Sequence, residues 1–275
     1  MSFISYAQNF EDVILNRVFK NITNGFYIDV GAYSPSEHSV TKTFYDRGWH
    51  GINIEPVASY YKKFPPVRPN DINLNIAVSD KEAELKFYEV KDTGLSTLNP
   101  EIAEMHRNRF NVTDYTIKVN TLSQVLKQHT TKNQTIHFLK IDVEGHEKEV
   151  VLGLDLNQYR PWVVVIEATK PLSEEILSEP WESMLTDKNY TFVYFDGLNN
   201  FYLANEHSNY RSCFQLPPNF FDGYIPFERN EFIKLGDTIK QLEAEKQAIL
   251  NSHSWKITKP LRAVSDFFRR NKESS

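Results

Sequence analysis

The stretch that most constrains how this chain can fold is a short apolar run that stops at an acid and a glycine. It is FYIDVGAYSP, residues 26–35, in which bulky apolar residues surround Asp29 and polar residues follow Gly31. Such a run is typical of a parallel strand buried on both faces, and the glycine permits a backbone angle or a close ligand approach that a side chain would prevent. Because open α/β sheets bind ligands at the carboxyl ends of their strands, we predict that Asp29 lies at a ligand-binding edge.

Three later apolar runs repeat this pattern, and each leads to an acid. WHGINIEP ends at Glu55, HFLKID ends at Asp142, and PWVVVIEA ends at Glu167. The 26 residues from Asp29 to Glu55 fit one strand, turn, helix and strand of a parallel unit. We therefore predict that four carboxylates lie along one edge of a sheet.

The rest of the chain predicts the elements that complete an α/β domain. We expect helices over residues 3–20, 36–47, 121–128 and 181–189, and further strands over 72–80, 84–90, 161–168 and in the pair YTFVYFDG and NNFYLAN. Residues 93–120 are the least regular segment, with a charged helix or lid followed by an alternating strand. A run of βα units followed by an antiparallel tail is typical of a mostly parallel sheet with a C-terminal hairpin.

Composition excludes several classes of protein. A net charge of −5 and a pI near 5.9 argue against a protein that binds nucleic acid mainly through phosphates, since those carry a basic face. The single cysteine, Cys213, excludes an internal disulfide and a multi-cysteine metal site, which is typical of a reducing compartment. The first residues lack a basic leader, and no window approaches the roughly 18 apolar residues of a membrane span. We expect a cytoplasmic protein without a nucleic-acid partner.

The predicted edge favours a ligand without phosphate. A dinucleotide needs a glycine-rich turn at a helix N-terminus, but DVGAYSP has one glycine where GxGxxG has three. GxxxxGK[ST] and GxSxG do not occur, and HEKEV has Val150 where an HExxH zinc site needs its second histidine. S-adenosylmethionine (SAM) carries a sulfonium and an ammonium but no phosphate, and Glu55 could accept hydrogen bonds from both of its ribose hydroxyls.

Seven blocks of the sequence together resemble the FkbM family of SAM-dependent methyltransferases. In chain order, from about Tyr6 to Tyr202, they are AQNFEDVIL, FYIDVGAYSP, GWHGINIEP, NIAVSD, LSTL, KIDVEGHEKEVVLG and VVVIEA. The resemblance implies an α/β class I methyltransferase (Rossmann-like) fold, and O-methylation of a sugar or polyketide hydroxyl as the usual activity.

The resemblance also implies roles for individual residues. The methionine part of SAM would lie against the turn after the first strand, the ribose against Glu55, and the adenine near 75–78. The cofactor-binding candidates are therefore Asp29, Gly31, Ala32, Glu55, Asn75, Ala77, Val78 and Asp142. The family's DxEGxE block, where the methyl group is transferred, corresponds here to Asp142, Glu144, Gly145 and Glu147.

Methyl transfer to a hydroxyl also needs a group that removes the proton. Our catalytic candidates are Asp142 and Glu144, followed by His146 and Glu167. Alternatively, Asp142 and Glu167 could bind Mg²⁺ that polarises a sugar diol, but two acids do not decide for a metal, so Mg²⁺ stays open. Structural roles are also open, because Glu144 could cap the following helix.

Two further side chains carry alternative interpretations. Glu147, one turn into that helix, is as readily structural as catalytic, and His38 suits a surface or capping position as well as a substrate contact. Asp29 and Glu55 are harder to explain without a ligand, since acids that end buried strands cost desolvation energy unless something pairs with them.

The composition changes near Asn230, so we predict a methyltransferase domain over residues 1–229 and a helical extension over 230–275. Apolar residues at 3–4–3 spacing, with Lys246 in one apolar slot, predict a short coiled-coil-like helix; they are Phe232, Leu235, Ile239, Leu242 and Ile249. A basic amphipathic helix over 255–275 is typical of a membrane-surface or partner-docking element. NSHSWKITKPLRAV resembles C-terminal segments of bacterial surface-polysaccharide glycosyltransferases and methyltransferases.

Together these observations predict a SAM-dependent O-methyltransferase for a sugar hydroxyl of a bacterial surface polysaccharide or related glycan. The alternatives are a non-catalytic scaffold module with the same fold in a glycan-assembly complex, and an O-methyltransferase for a small natural product. We expect a glycan or other hydroxyl-bearing acceptor that contacts 93–120, and a tail that contacts the inner face of the cytoplasmic membrane or a glycosyltransferase. The sequence leaves a homo-oligomer open.

Overall fold

The protein forms two compact units, one over Met1–Tyr224 and one over Ile225–Ser275. The computed structural model describes residues 3–173, 175–176 and 181–262. The domain boundary predicted after residue 229 stays a prediction. Within the described residues, no helix has the length and apolar content needed to cross a membrane.

Strands and helices alternate through most of the first unit. The described strands are β1 (Phe3–Ser5), β2 (Phe26–Val30), β3 (His50–Ile54), β4 (Ile72–Leu74), β5 (Ala77–Ser79), β6 (Ala83–Val90), β7 (Val112–Thr121), β8 (Phe138–Ile141), β9 (Val163–Glu167), β10 (Tyr190–Phe195), β11 (Asn199–Ala204) and β12 (Tyr224–Pro226). The described α-helices are α1 (Glu11–Phe19), α2 (Lys42–Tyr45), α3 (Ala58–Tyr61), α4 (Phe64–Val67), α5 (Pro100–Arg107), α6 (Leu122–His129), α7 (Glu147–Leu152), α8 (Glu182–Thr186), α9 (Phe227–Asn251) and α10 (His253–Ile257). Two 3₁₀ segments lie between β11 and β12, at Asn205–Phe214 and Phe220–Asp222.

Seven of the described strands form the central sheet, in the order β10-β11-β9-β8-β2-β3-β4. Five neighbouring strands of this sheet pair in parallel, namely β4, β3, β2, β8 and β9. In contrast, β11 is antiparallel to both of its neighbours. The sheet is therefore mostly parallel with an antiparallel pair at its C-terminal edge, as the sequence predicted. The chain proceeds from β2 to one side of the sheet and later returns to the other side at β8, so the strand order reverses between β2 and β8. In open α/β sheets this reversal opens a ligand-binding crevice at the carboxyl ends of the two strands.

The central sheet is buried on both faces, which explains its continuous apolar runs. Ile28 and Val30 pack into one hydrophobic core, and Tyr27 packs into the other. Because side chains alternate along a strand, Asp29 faces the same side as Tyr27. Lys140 is paired with Asp29 in the register of β2 and β8. An acid and a lysine thus lie side by side in the register of the buried sheet.

The helix predicted over 3–20 is wrong at its N-terminal end. Residues 3–5 form β1, and the helix begins at Glu11. Phe10, the residue before the helix, has a left-handed backbone with φ of 62°. The Asp12 carboxylate accepts hydrogen bonds from the Ser5 hydroxyl and from the Tyr6 backbone amide. These contacts fold the first residues back across the start of α1 instead of extending the helix.

The helix predicted over 36–47 is also wrong in extent, because only α2 forms there. Two residues of the preceding segment, Tyr33 and His38, have left-handed backbones with φ of 50° and 56°, which a helix does not contain. The segment instead forms an irregular loop that lines a cavity at the sheet edge.

The strand predicted over 72–80 is divided in the structure. β4 belongs to the central sheet, whereas β5 pairs with β7 in a separate three-stranded sheet of order β5-β7-β6. The break falls at Asn75, whose side-chain amide donates to the backbone oxygens of Glu55 and Pro56. The irregular segment 93–120 contains α5 and β7, so the predicted charged helix and alternating strand are both present.

Among the described residues of the second unit, α9 is the longest element and extends over 25 residues. The predicted heptad helix is therefore present, and its apolar residues are 48% to 74% exposed. The predicted basic tail lies partly outside the described residues, since 263–275 are not described.

Candidate functional site

A cavity of about 480 Å³ lies at the carboxyl ends of the central strands. Pockets of about 300 to 1,000 Å³ are typical of small-molecule sites. All four acids that the sequence puts at the ends of strands line this cavity: Asp29, Glu55, Asp142 and Glu167. The parallel sheet brings them together because β2, β3, β8 and β9 end at the same edge.

The turn after β2 explains why Gly31 is a glycine. Its backbone has φ of +77°, and a Cβ atom added there would lie 1.7 Å from the Asp142 carbonyl oxygen. The amides of Gly31 and Ala32 both donate to the Ile54 carbonyl oxygen at 3.1 Å. The glycine is thus required by the close approach of the β2 and β8 turns, and this approach brings Gly31 and Ala32 to the cavity wall.

Lys140 is a cavity residue that the sequence analysis missed. Its Nζ lies 3.1 Å from an Asp142 oxygen and 3.6 Å from Asp29, and it donates to the Gly31 carbonyl oxygen at 2.9 Å. Burial alone would lower the Lys140 pKa, but the carboxylates of Asp142 and Asp29 raise it overall. The sequence signal for this residue was a single lysine inside the apolar run HFLKI. A buried strand tolerates a lysine only when its charge is paired.

Asp29 is buried and incompletely paired. The Thr41 hydroxyl donates to one oxygen at 3.2 Å, whereas the other oxygen, Oδ1, has no hydrogen-bond partner among the described residues. Burial raises the Asp29 pKa, and the charge of Lys140 opposes this effect. An acceptor atom is therefore available at the cavity end of β2.

Glu55 is also buried, but both of its oxygens are occupied. One accepts from the Val57 amide at 2.7 Å and the other from the Tyr33 amide at 2.8 Å. Burial raises the Glu55 pKa to about 7, although the hydrogen bonds from the two backbone amides lower it. Since each carboxylate oxygen has a second lone pair, Glu55 can fasten the loop and still accept a hydrogen bond from a ligand hydroxyl.

The predicted adenine side of the site is only partly at the cavity. Ala77 and Val78 line it, whereas Asn75 is absent from the described lining and holds the end of β3 through its two hydrogen bonds. Two aromatic side chains of this wall, Tyr33 and Tyr60, pack edge to face with ring centres 4.8 Å apart. They come from a loop and from α3 and share no sequence pattern, so the sequence gave no signal for them.

Three carboxylates converge beside the carboxyl ends of β8 and β9. Oxygen atoms of Asp142, Glu144 and Glu167 all lie within 4.8 Å of one another. Burial, followed by the charge of Asp142, raises the pKa of both glutamates well above the ordinary value. The Oε2 atom of Glu144 is buried and has no hydrogen-bond partner among the described residues.

The loop before α7 fixes the direction of Glu144. Glu144 has a left-handed backbone with φ of 53°, and its carbonyl oxygen accepts from the Thr97 hydroxyl at 2.7 Å. Glu147 accepts from the amides of Val143 and Gly145, both at 3.1 Å. The suggestion that Glu144 caps the helix is therefore wrong, because Glu147 fastens this loop and the Glu144 side chain lines the cavity.

Two histidines line the same cavity. His146 Nε2 lies 2.9 Å from the Ser79 hydroxyl, and its Nδ1 lies 3.5 Å from Glu149. Burial lowers the His146 pKa and so favours the neutral imidazole. His38 is exposed at the cavity wall.

Two loops complete the described lining of the cavity. From the segment 93–120, which we predicted to contact the acceptor, only residues before α5 line the cavity. The opposite loop follows β9 and contributes Thr169, Leu172 and Ser173. Hydroxyl-bearing side chains and leucines from these two loops thus line the same cavity as the three carboxylates.

Comparison with known families agrees with this arrangement. Residues 29–194 match the sequence profile described as the methyltransferase FkbM domain. This match covers more than half of the 275 residues and includes all of the strand-end acids. A search of curated proteins found no match.

Proposed function

Because this chain belongs to the FkbM methyltransferase family, we propose that it transfers a methyl group from SAM to a sugar hydroxyl of a bacterial surface polysaccharide or a related glycan. The family membership makes it a methyltransferase, and SAM is the usual methyl donor of such enzymes. The observation that carries the proposal is one cavity that combines strand-end acids for a cationic cofactor with groups able to accept a proton.

The fold supports a class I, Rossmann-like assignment. The parallel strands, the antiparallel terminal pair and the reversal of order between β2 and β8 are the features that such an assignment requires. The four acids and the Gly31 turn all lie at this reversal.

The residues at the reversal fit SAM. Asp29 Oδ1 has no hydrogen-bond partner among the described residues, although it lies 3.6 Å from Lys140 Nζ, and it suits the ammonium of the methionine part. The remaining lone pairs of Glu55 suit the ribose hydroxyls. Ala77 and Val78 would contact the adenine. When bound, SAM supplies a methyl group whose transfer to a hydroxyl oxygen breaks the carbon–sulfur bond, leaves the electron pair on sulfur and releases one proton.

Three groups beside α7 can take that proton: Asp142, Glu144 and His146. Asp142 is engaged by Lys140 at 3.1 Å, whereas Glu144 has a free buried oxygen and His146 is a neutral imidazole. Glu167 belongs to the same group of carboxylates and can orient the acceptor hydroxyl. General-base catalysis by one positioned group contributes about 10²- to 10⁴-fold.

Two measurements test the proposal. Calorimetry with S-adenosylhomocysteine should show binding to the wild-type protein and weaker binding to Glu55→Gln, with the exposed Glu84→Gln as the matched control. Incubation with SAM and a glycan library should give a product heavier by one methylene unit. Absence of S-adenosylhomocysteine binding would contradict the methyltransferase proposal.

Two alternatives predict different results in the same assays. A scaffold module with this fold would leave every acceptor unmethylated even when S-adenosylhomocysteine binds. An enzyme for a small natural product would methylate small hydroxyl compounds and leave glycans unchanged. The retention of Asp29, Glu55 and the group around Asp142 supports the catalytic proposal, since a scaffold does not need them.

The C-terminal segment supports a second element of this proposal, which is contact with an anionic membrane surface or with a glycosyltransferase. The exposed apolar residues of α9 and the lysines Lys256 and Lys259 provide apolar and basic groups for such contact. Replacing both lysines by glutamate should reduce co-sedimentation with anionic vesicles. Unchanged co-sedimentation would contradict membrane contact through these residues.

A further inference from the structure

The three carboxylates at the ends of β8 and β9 are arranged as a ligand set rather than as separate surface acids. Their oxygens lie within 4.8 Å of one another, and Glu144 and Glu167 are each only 8% exposed. Two oxygens bound to one Mg²⁺-sized cation at about 2.1 Å are at most about 4.2 Å apart. A single ion can therefore contact all three residues after small side-chain rotations that bring these oxygens closer.

A second observation points to a missing ligand. Glu144 is nine-tenths buried and lines the cavity, and its Oε2 has no hydrogen-bond partner among the described residues. A buried carboxylate oxygen is normally hydrogen-bonded or bound to a metal. Since Glu147 already fastens the loop, Glu144 is not needed to hold the turn before α7.

The charge of the cavity favours a divalent ion over a monovalent group. Of the described side chains that line it, five are carboxylates and Lys140 is the single ammonium. SAM adds one net positive charge, because its sulfonium and ammonium are opposed by its carboxylate. A divalent ion would bring two positive charges to the three converging carboxylates, whereas an amino group on the acceptor would bring one.

We propose that Asp142, Glu144 and Glu167 bind a divalent cation of the Mg²⁺ or Mn²⁺ type, which holds the acceptor hydroxyl. Hard oxygen ligands of this kind suit these ions. The orienting role rests on the proposed methyl transfer, whereas the binding of the ion does not.

The cation polarises the hydroxyl that it contacts, which lowers the pKa of that hydroxyl. During transfer the hydroxyl oxygen would form its bond to the methyl carbon while the carbon–sulfur bond of SAM breaks and leaves its electron pair on sulfur. The hydroxyl proton would be released to water, and the ion would neither gain nor lose electrons. An acceptor with two neighbouring hydroxyls would provide two ligands at once, so the site favours a sugar diol over an isolated hydroxyl.

The test measures Mn²⁺ binding by electron paramagnetic resonance, with full-length protein and without SAM or acceptor. We expect wild-type protein to bind one Mn²⁺, Glu144→Gln and Glu167→Gln to bind it about tenfold or more weakly, and the exposed Glu84→Gln to match wild type. Mg²⁺ should compete with Mn²⁺. Glu144→Asp, which keeps the charge but shortens the side chain, should fall between wild type and Glu144→Gln.

Two results would overturn the cation site. One is wild-type protein that binds no Mn²⁺ at millimolar concentration, and the other is equal Mn²⁺ affinity in wild type and both glutamine variants, which would indicate an unrelated surface site. Calorimetry with S-adenosylhomocysteine on the same samples verifies folding and separates the two proposals. Cofactor binding without Mn²⁺ binding would reject only the cation site, and Mn²⁺ binding without cofactor binding would reject only the proposed function.

Discussion

The two ends of the cavity differ in how their acids are paired. At the end of β3, each oxygen of Glu55 receives a backbone amide, so this acid is part of the loop structure before any ligand arrives. Beside α7, Glu144 lies against two other carboxylates and has a free buried oxygen. The comparison indicates that the first end is preformed for a ligand, whereas the second end is electrostatically incomplete without one.

Lys140 pairs with Asp29 at the end of β2 and with Asp142 at the end of β8, and its removal should have the largest effect. Lys140→Met leaves Asp29 and Asp142 without their shared ammonium, and breaking a buried ion pair by removing one partner costs about 3 to 5 kcal/mol. Urea unfolding should show this loss, and calorimetry should show loss of S-adenosylhomocysteine binding. Lys86→Met is the matched control, because its ion pair with Asp114 is at the surface and contributes little. Equal stability of the two variants would contradict the assignment of Lys140 as the central charge.

Gly31 should show the next largest effect, because it keeps the β2 and β8 turns close together. In Gly31→Ala, backbone strain and the clash with the Asp142 carbonyl oxygen together cost about 2 to 5 kcal/mol. Gly48→Ala is a matched control, since Gly48 also has positive φ, +90°, but no described atom lies within 4 Å of its added Cβ. The control should lose about 1 to 2 kcal/mol. Similar losses in denaturant unfolding would show that close packing at Gly31 does not matter.

The variants Glu55→Gln and Glu144→Gln compare the two ends of the cavity directly. In Glu55→Gln, the new NH₂ group faces one of the two backbone amides, and an unsatisfied buried donor costs about 1 to 3 kcal/mol. In Glu144→Gln, a charge beside two other carboxylates is removed, so stability without ligands should stay equal or increase. Thermal unfolding measures the stability of both variants. A loss of stability in Glu144→Gln alone would show that the Glu144 end, and not the Glu55 end, is the preformed one.

The same pair of variants should separate binding from catalysis. Glu55→Gln should weaken S-adenosylhomocysteine binding, whereas Glu144→Gln should retain that binding and lose about 10²-fold or more of kcat. If Glu144→Gln instead lost cofactor affinity with kcat unchanged, Glu144 would belong to the cofactor side of the cavity.

The sequence predicted the strands and strand-end acids of this site, but it did not predict which charged side chains form ion pairs there. The strand-end acids could be found because two-sided burial produces continuous apolar runs, and parallel strands end at one edge. Lys140 was missed because Asp29, its partner on β2, comes next to it only in the folded sheet, although Asp142 follows it by two residues. The prediction of a helix over 36–47 was wrong for a related reason. The loop before α2 lies at the cavity wall, and the local sequence does not show this tertiary contact.

The pH dependence of stability should give the smallest effect and tests the Glu55 end alone. Burial raises the pKa of Glu55 from an unfolded value near 4.5 to about 7, so the folded protein binds this proton more tightly. The stabilisation is fully present below pH 4.5 and is lost as the pH rises through about 7. Between pH 6 and pH 8 this group should account for about 1 kcal/mol of the decrease in unfolding free energy. Other buried acids add to the wild-type decrease, so the measurement is the difference between wild type and Glu55→Gln in urea unfolding at the two pH values. Equal decreases in the two proteins would mean that Glu55 stays ionised when buried, and that its two backbone amides outweigh its desolvation.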